Sequence, residues 1–422
     1  MMIHNTRITQ ILVCITFLLA GASCKREVKN KLVVEPLANG ILGLYNADKT
    51  FDGYNLVNGC GIYDMLGRHV LSYPGQECRY YSNGDIVSGI ELDYLFMYHK
   101  DLSPLWRTPS FHEEGVHHDI CIAPDSSVYF FSSDIQPLTL SYGAKIEKVI
   151  SLRNPGGKGF VHSDDIHPFY INGPVRFDSL RFDVMYHISR SGKILSRWNS
   201  FEQLDALKKI ITSSPRSAVY CDSLPRKVAE YFHFNSIQTL PHNPFEKTHP
   251  EFKAGNLLLS DMYFDMVFIM TPDNYEIVWS YFQQEMNGHG QHTARMQPNG
   301  LITMIVNQCT LADGTKYSKV IDLNPVTKTI EWEYVAPKPH DFNTPYEGSA
   351  QRLPNGNTLI TVGSWRPNDP DSLQNNWAFE VTPDKEMVWK WTPDIHQLDD
   401  PDLYRVTRVS KKEMEQFIKH EF

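Results

Sequence analysis

The chain lacks a basic excess. Over 422 residues its formal charge at pH 7 is −9, so it offers no cationic face for a phosphate backbone, and no nucleic-acid partner is expected. It lacks a run of about 20 apolar residues, the length that crosses a bilayer; the stretch ILVCITFLLAGA at positions 11–22 is shorter. Cysteine is sparse, with seven in all, and no C-x-x-C spacing occurs. That argues against a cysteine-held metal centre. H-E-x-x-H is absent as well, which removes the usual signature of a zinc hydrolase. Neither a metal nor another cofactor is expected.

What the N-terminus does contain is a targeting pattern. Arg7 precedes the apolar run, and GASC places Cys24 just before Lys25 and Arg26. The expectation is a lipoprotein-type signal peptide over 1–24, with lipidated Cys24 anchoring the exported chain to the periplasmic face of the envelope. Gly21 stands where leucine is usual, and plain secretion is the alternative. Cys60, Cys78, Cys121, Cys221 and Cys309 remain. Their number is odd and their pairing is not fixed by spacing.

Aromatic residues are plentiful, and a two-strand pattern recurs through the chain. An alternating apolar strand reaches a short polar turn, and the return strand usually ends in tryptophan. It appears as CGIYDMLGRHVL, LFMYHKDLSPLW, VMYHISRSGKILSRW, VFIMTPDNYEIVW, KVIDLNPVTKTIEW and AFEVTPDKEMVW. Most copies follow a turn and another apolar strand, as in MQPNGLITMIVN and RLPNGNTLITVG. Three strands of a four-stranded unit, repeated about every 40–50 residues, predict a β-propeller. The fold class expected is all-β, a six-bladed β-propeller with helical insertions, rather than an open sandwich or two barrels. The propeller is assigned to 51–410, after an N-terminal segment 25–50 and before a helical tail 411–422. Ser141 to Ser179 and Phe201 to Phe232 read as insertions, the second with helix-like FEQLDALKKII and RKVAEYF. LYRVTRV reads as a late strand that closes the ring.

Three blades carry histidine just ahead of the turn-and-strand element. His117 and His118 lie in GVHHDICIAPD, His233 and Asn235 in YFHFNSI, and His292 in GQHTARMQPNG. Equivalent positions in radial repeats converge on the axis. His117 is the less certain of its pair because neighbours on a strand face opposite ways. The same alternation, counted from His292, points Arg295 away from the channel. His99, His167, His187, His242, His249, His340 and His396 read as surface residues.

YFHFNSI, GNLLLSD, GQHTA with MQPNG, and AQRLPNGNTLI followed by FEVTPDKEMVW resemble the bacterial arylsulfate sulfotransferase family, from about Gly53 to Val409. The resemblance implies a periplasmic six-bladed propeller that moves a sulfuryl group from an aryl sulfate donor to a phenolic acceptor, without a nucleotide donor. It implies a transiently sulfurylated His292, supported by His118, His233 and Asn235, with a late tyrosine at Tyr404. His117 and Arg352 are further possible substrate contacts. The chain departs from the family where an arginine is usual and Met262 stands, and it is too short ahead of residue 51 for the family's larger N-terminal domain. Two other readings stay open: a propeller that binds an envelope ligand without catalysis, and three converging histidines around zinc.

Overall fold

The computed structural model describes residues 35–37, 40–75, 77–90, 94–111, 115–137, 152–153, 160–161, 179–211, 220–223, 226–282, 288–345, 347–363, 376–394 and 403–418. The expected targeting segment 1–24 with Cys24, and most of the expected insertion from Ser141, lie outside these residues.

The described strands form six four-stranded blades, two of them extended. Blade 2 runs outward through Glu77–Tyr80, Ile86–Ile90, Tyr94–Tyr98 and Pro104–Arg107. Blade 3 uses His117–Ile122, Val128–Pro137, Ser179–Ile188 and Ile194–Asn199. Blade 4 uses Phe234–Thr239, Leu257–Asp261, Met266–Met270 and Ile277–Phe282. Blade 5 uses His292–Met296, Ile302–Thr310, Lys316–Asn324 and Thr329–Tyr334. Blade 6 uses Ser349–Arg352, Thr358–Val362, Trp377–Val381 and Met387–Pro393. Blade 1 is assembled from both ends of the chain: the late strand Val406–Ser410 pairs with Gly53–Val57, followed by Gly61–Tyr63 and His69–Ser72. The ring is therefore clasped by backbone hydrogen bonds between segments about 350 residues apart.

Blade order follows from the packing. Each apolar cluster joins two successive blades, from Leu56 and Ile62 against Cys78 and Ile86 to Leu359 and Trp389 against Val57 and Tyr63. Middle strands are covered on both faces and read as continuous apolar runs. Met266–Met270 is buried throughout, whereas the outer strand Thr329–Tyr334 is largely exposed.

The repeated tryptophans stitch neighbouring blades together. The indole N–H of Trp106 donates to Arg190 O at 2.8 Å, Trp279 to Pro325 O at 3.0 Å, Trp332 to Pro383 O at 3.0 Å, and Trp389 to Met65 O at 3.0 Å. In each case a fourth strand reaches the outer hairpin of the next blade. Gly192 in one such hairpin has φ +83°, and a Cβ there would stand 2.9 Å from the Trp106 ring, so glycine serves both the turn and the close approach. A Cys60–Cys78 disulfide adds a covalent link between blades 1 and 2.

Two sequence expectations change. Of the segment 25–50, the described strands Gly40–Tyr45 and Glu35–Leu37 are not separate from the propeller but extend blade 6. RKVAEYF is not helical: Arg226–Glu230 is a strand parallel to Ser179–Ile188, held also by Tyr220–Ser223. Sheet pairing there overrides local helix preference. FEQLDALKKII contains the short helix Leu204–Lys208. The tail is helical over Lys411–Ile418.

Candidate active site

The starts of the inner strands of blades 3, 4 and 5 share one distortion. Register slips between His117 and Ile120, between Phe234 and Ser236, and between His292 and Arg295. His118 and Thr293 take positive φ, +60° and +56°. A β-bulge interrupts side-chain alternation and re-aims its residues. His117 and His118 are therefore in contact, with Nδ1 atoms 2.7 Å apart. The His118 ring lies 4.3 Å from that of His233 and 5.9 Å from that of Tyr404. Tyr404 lies 6.2 Å from the His292 ring. The structure thus gathers His117, His118, His233, His292 and Tyr404 into one chain of contacts.

The hydrogen bonds assign the imidazole protons. His292 is fully buried. Its Nδ1 faces Gly290 O at 2.9 Å and Asn307 Oδ1 at 3.0 Å. The Asn307 amide nitrogen already donates to the carbonyls of Thr344 and Glu347, so its oxygen must accept. Nδ1 of His292 therefore carries the proton. Nε2 keeps its lone pair and has no partner. Burial, followed by the charge of His233, lowers the His292 pKa to about 3. The ring is neutral near pH 7.

His117 donates from Nε2 to Ser132 O at 3.1 Å. Its Nδ1 then accepts from His118 Nδ1–H, leaving the lone pair of His118 on Nε2. Burial holds His117 down to about 4 and His118 well below the usual histidine range, with neighbouring charges adding to both effects.

His233 is the opposite case. Burial alone would lower its pKa, but the charge and hydrogen bond of Glu230, with Asp183 and Asp261, raise it. Its Nδ1 lies 2.9 Å from Glu230 Oε2, which also accepts from Tyr263 Oη at 3.0 Å. Arg181 reaches the other oxygen at 3.2 Å. Burial opposes ionisation of Glu230, yet His233, Arg181 and Tyr263 bring its pKa down to about 2. The site therefore holds two rings with lowered pKa values and lone pairs on Nε2, His118 and His292, beside a third, His233, whose pKa is raised.

Asn235 is fully buried and donates from Nδ2 to Gln291 O at 2.7 Å, bracing the residue before His292. Tyr404 Oη donates to Asn235 O at 3.2 Å. Arg352 is not brought to the histidines. It pairs with Asp322, donates to Gly356 O at 3.1 Å and covers the Trp332 ring. Met262 is buried among aromatic residues that include Phe232 and Phe264. Arg295 is turned inward, contrary to the count from His292, because the bulge at Thr293 shifts the phase; it pairs with Asp119. His187, read as a surface residue, is half-buried: it stacks on Tyr129 at 4.1 Å and meets Ser127 Oγ at 2.7 Å.

Sequence reasoning missed Asn307, Glu230 and Asp119. Asn307 and Asp119 each sit as a polar residue among apolar neighbours of a strand, in MIVNQCT and HHDICI. That is a readable signal for a buried partner. Glu230 had no such signal, since its segment was read as helix.

Residues 164–367 match the model of a protein family described as Arylsulfotransferase (ASST). No curated protein matches the chain significantly. Among solved structures, a protein of unknown function from Bacteroides caccae is similar at 13% identity, over 84% of this chain and 98% of that one, with a TM-score of 0.48. The hydrazine synthase of Kuenenia stuttgartiensis is similar at 9% identity, over 72% of this chain and 62% of that one, with a TM-score of 0.32.

Proposed function

We propose that this chain, a divergent member of the arylsulfotransferase (ASST) family, transfers a sulfuryl group from an aryl sulfate to a phenol through a sulfurylated His292. The observation that carries the reading is the state of His292: a buried, neutral imidazole whose Nδ1–H is held by Gly290 and Asn307 while Nε2 is without a partner. A fixed acceptor on Nδ1–H sets the tautomer and aims the lone pair of Nε2.

In the first half-reaction, Nε2 of His292 forms a bond to sulfur as the bond from sulfur to the aryl oxygen breaks. The His233 imidazolium gives its proton to the departing oxygen. The phenol leaves, His233 is neutral, and His292 carries the sulfuryl group. In the second half, the acceptor phenol attacks that sulfur, His233 takes the phenolic proton, and His292 is released neutral. Protons balance over the cycle, and His118 is a second lone-pair base beside His233. Splitting one transfer into two predicts ping-pong kinetics.

The family's arginine would bring positive charge to the sulfuryl oxygens, and Met262 brings none. His233, whose pKa Glu230 raises, brings a positive charge to the same dry setting until it gives its proton to the leaving oxygen. For the cellular setting we propose export, with Cys24 acylated.

Intact-protein mass spectrometry after a brief pulse of 4-nitrophenyl sulfate tests the mechanism. One sulfuryl adduct is expected, released by added phenol and missing from His292→Ala. Neither adduct nor turnover across a panel of aryl sulfates would refute the reading.

A further inference from the structure

The hairpin between the second and third strands of blade 4 reads DMYFD, with an aspartate at each end, Asp261 and Asp265. It stands where the inner strand starts, since Asp261 pairs with Phe234. Asp261 serves its own blade. Its Oδ2 accepts from His233 N–H at 2.9 Å, and Met262 N–H donates to His233 O at 3.0 Å. Asp265 serves the next blade. Its Oδ1 accepts from Gly290 N–H at 2.7 Å. The Gln291 side-chain amide donates to Asp261 O at 2.8 Å and to Met266 O at 2.9 Å, at the base of the same hairpin. One turn thus holds the backbone at His233 on one side and the approach to His292 on the other.

Asp265 is more than a turn residue. Its φ is +54°, a conformation that costs a residue with a side chain. Its carboxylate is fully buried, which costs more unless the oxygens are answered. The second oxygen lies 3.4 Å from Nδ1 of the half-buried His289. Glycine would supply the backbone shape without strain or a buried acid. What aspartate adds is an acceptor for Gly290. Gly290 is itself confined: its φ is +70°, and a Cβ there would stand 3.3 Å from Cγ and Cε of Met262. With its N–H held by Asp265 and the next residue held by the Gln291 amide, the Gly290 carbonyl has one direction. That carbonyl accepts from His292 Nδ1–H at 2.9 Å.

We propose that Asp265 is a positioning residue for His292: by holding Gly290 it aims the carbonyl that keeps the imidazole proton on Nδ1 and presents Nε2 to the site. Its consequence for turnover rests on the sulfuryl-transfer reading; the tautomer belongs to the resting protein.

Asp265→Gly removes the carboxylate and takes the positive φ without strain, so it separates the acceptor from the turn. Long-range proton–nitrogen NMR of the full chain with isotope-labelled histidine reads the tautomer without substrate. The His292 signals are identified by their absence from His292→Ala. The wild type should show a protonated Nδ1 and a bare Nε2, and Asp265→Gly should show both tautomers. With 4-nitrophenyl sulfate and phenol, kcat of Asp265→Gly should fall about tenfold or more while KM stays within about twofold. Asp265→Asn keeps an oxygen for Gly290 N–H and should restore the tautomer and kcat. Trp279→Phe, which loses a hydrogen bond far from this loop, should leave the tautomer as in the wild type. If Asp265→Gly does not fold, Asp265→Ser, whose hydroxyl is shorter than the carboxylate it replaces, is read in the same way. An unchanged tautomer in Asp265→Gly, no restoration in Asp265→Asn, or the same change in Trp279→Phe would overturn the proposal. A tautomer that depends on Asp265 in a protein that forms no adduct would uphold the positioning and sink the sulfuryl-transfer reading alone.

Discussion

Glu230→Gln removes one charge and little volume, and it tests the cationic state of His233. The ordinary pKa of this glutamate is 4.5, and here it is held at about 2. That difference corresponds to about 3 kcal/mol, shared among His233, Arg181 and Tyr263. Glu230 is the leading charge that raises the His233 pKa against burial, so losing the carboxylate lowers that pKa. The alkaline limb of kcat/KM, set by deprotonation of the general acid, should then move to lower pH. Phenyl sulfate should show this more strongly than 4-nitrophenyl sulfate, whose leaving group needs less help from an acid. Steady-state kinetics from about pH 4 to pH 9 read the shift. An alkaline limb at the same pH in both proteins, with adduct formation intact, would refute the assignment of His233 as the acid.

The same pair makes a stability prediction of definite sign. His233 has a folded pKa raised above 6.5; its contribution is complete below 6.5 and is lost as pH rises through the folded value. Glu230 is depressed from 4.5 to about 2; its contribution is complete above 4.5 and is lost as pH falls toward 2. The pair therefore supports the fold most fully between these ordinary values. Thermal denaturation of Glu230→Gln should show its largest deficit in that window and converge with the wild type in strong acid.

Other sites give further outcomes. Asn307→Asp places a carboxylate on His292 Nδ1, so the His292 pKa should rise from about 3 and the acid limb of kcat/KM should move to higher pH; an unmoved limb would argue against His292 as nucleophile. Trp279→Phe deletes the hydrogen bond to Pro325 O and should cost about 1 kcal/mol in denaturant unfolding, with turnover unchanged. Replacing both Cys60 and Cys78 by serine should cost about 2–4 kcal/mol, and reducing agent should then have no further effect on the melting temperature.

The blades were legible because their marks are local. A polar turn, an alternating strand and a closing tryptophan repeat at a steady period, and the tryptophan proves to be the residue that bonds the next blade. The clasp at Val406–Ser410 was legible for the same reason. RKVAEYF was not, because what makes Arg226–Glu230 a strand is pairing with Ser179–Arg181, and pairing partners far along the chain leave no local mark. Glu230 was lost with it, and with Glu230 went the carboxylate that raises the pKa of His233.

The histidines illustrate a different limit. Repeat position alone brought His118, His233 and His292 together, and it needed no side-chain geometry. Strand alternation, by contrast, misjudged Arg295 and left His117 in doubt. Period-two reasoning holds only while a strand stays in register, and each of these three strands slips at its start. The slip puts two adjacent residues of one strand on the same side. This lets His117 fix the proton of His118, and lets His292 face the cluster while Arg295, three residues on, reaches Asp119 on the axis. A regular strand would give either the imidazole or the guanidinium to the channel. The bulges give both.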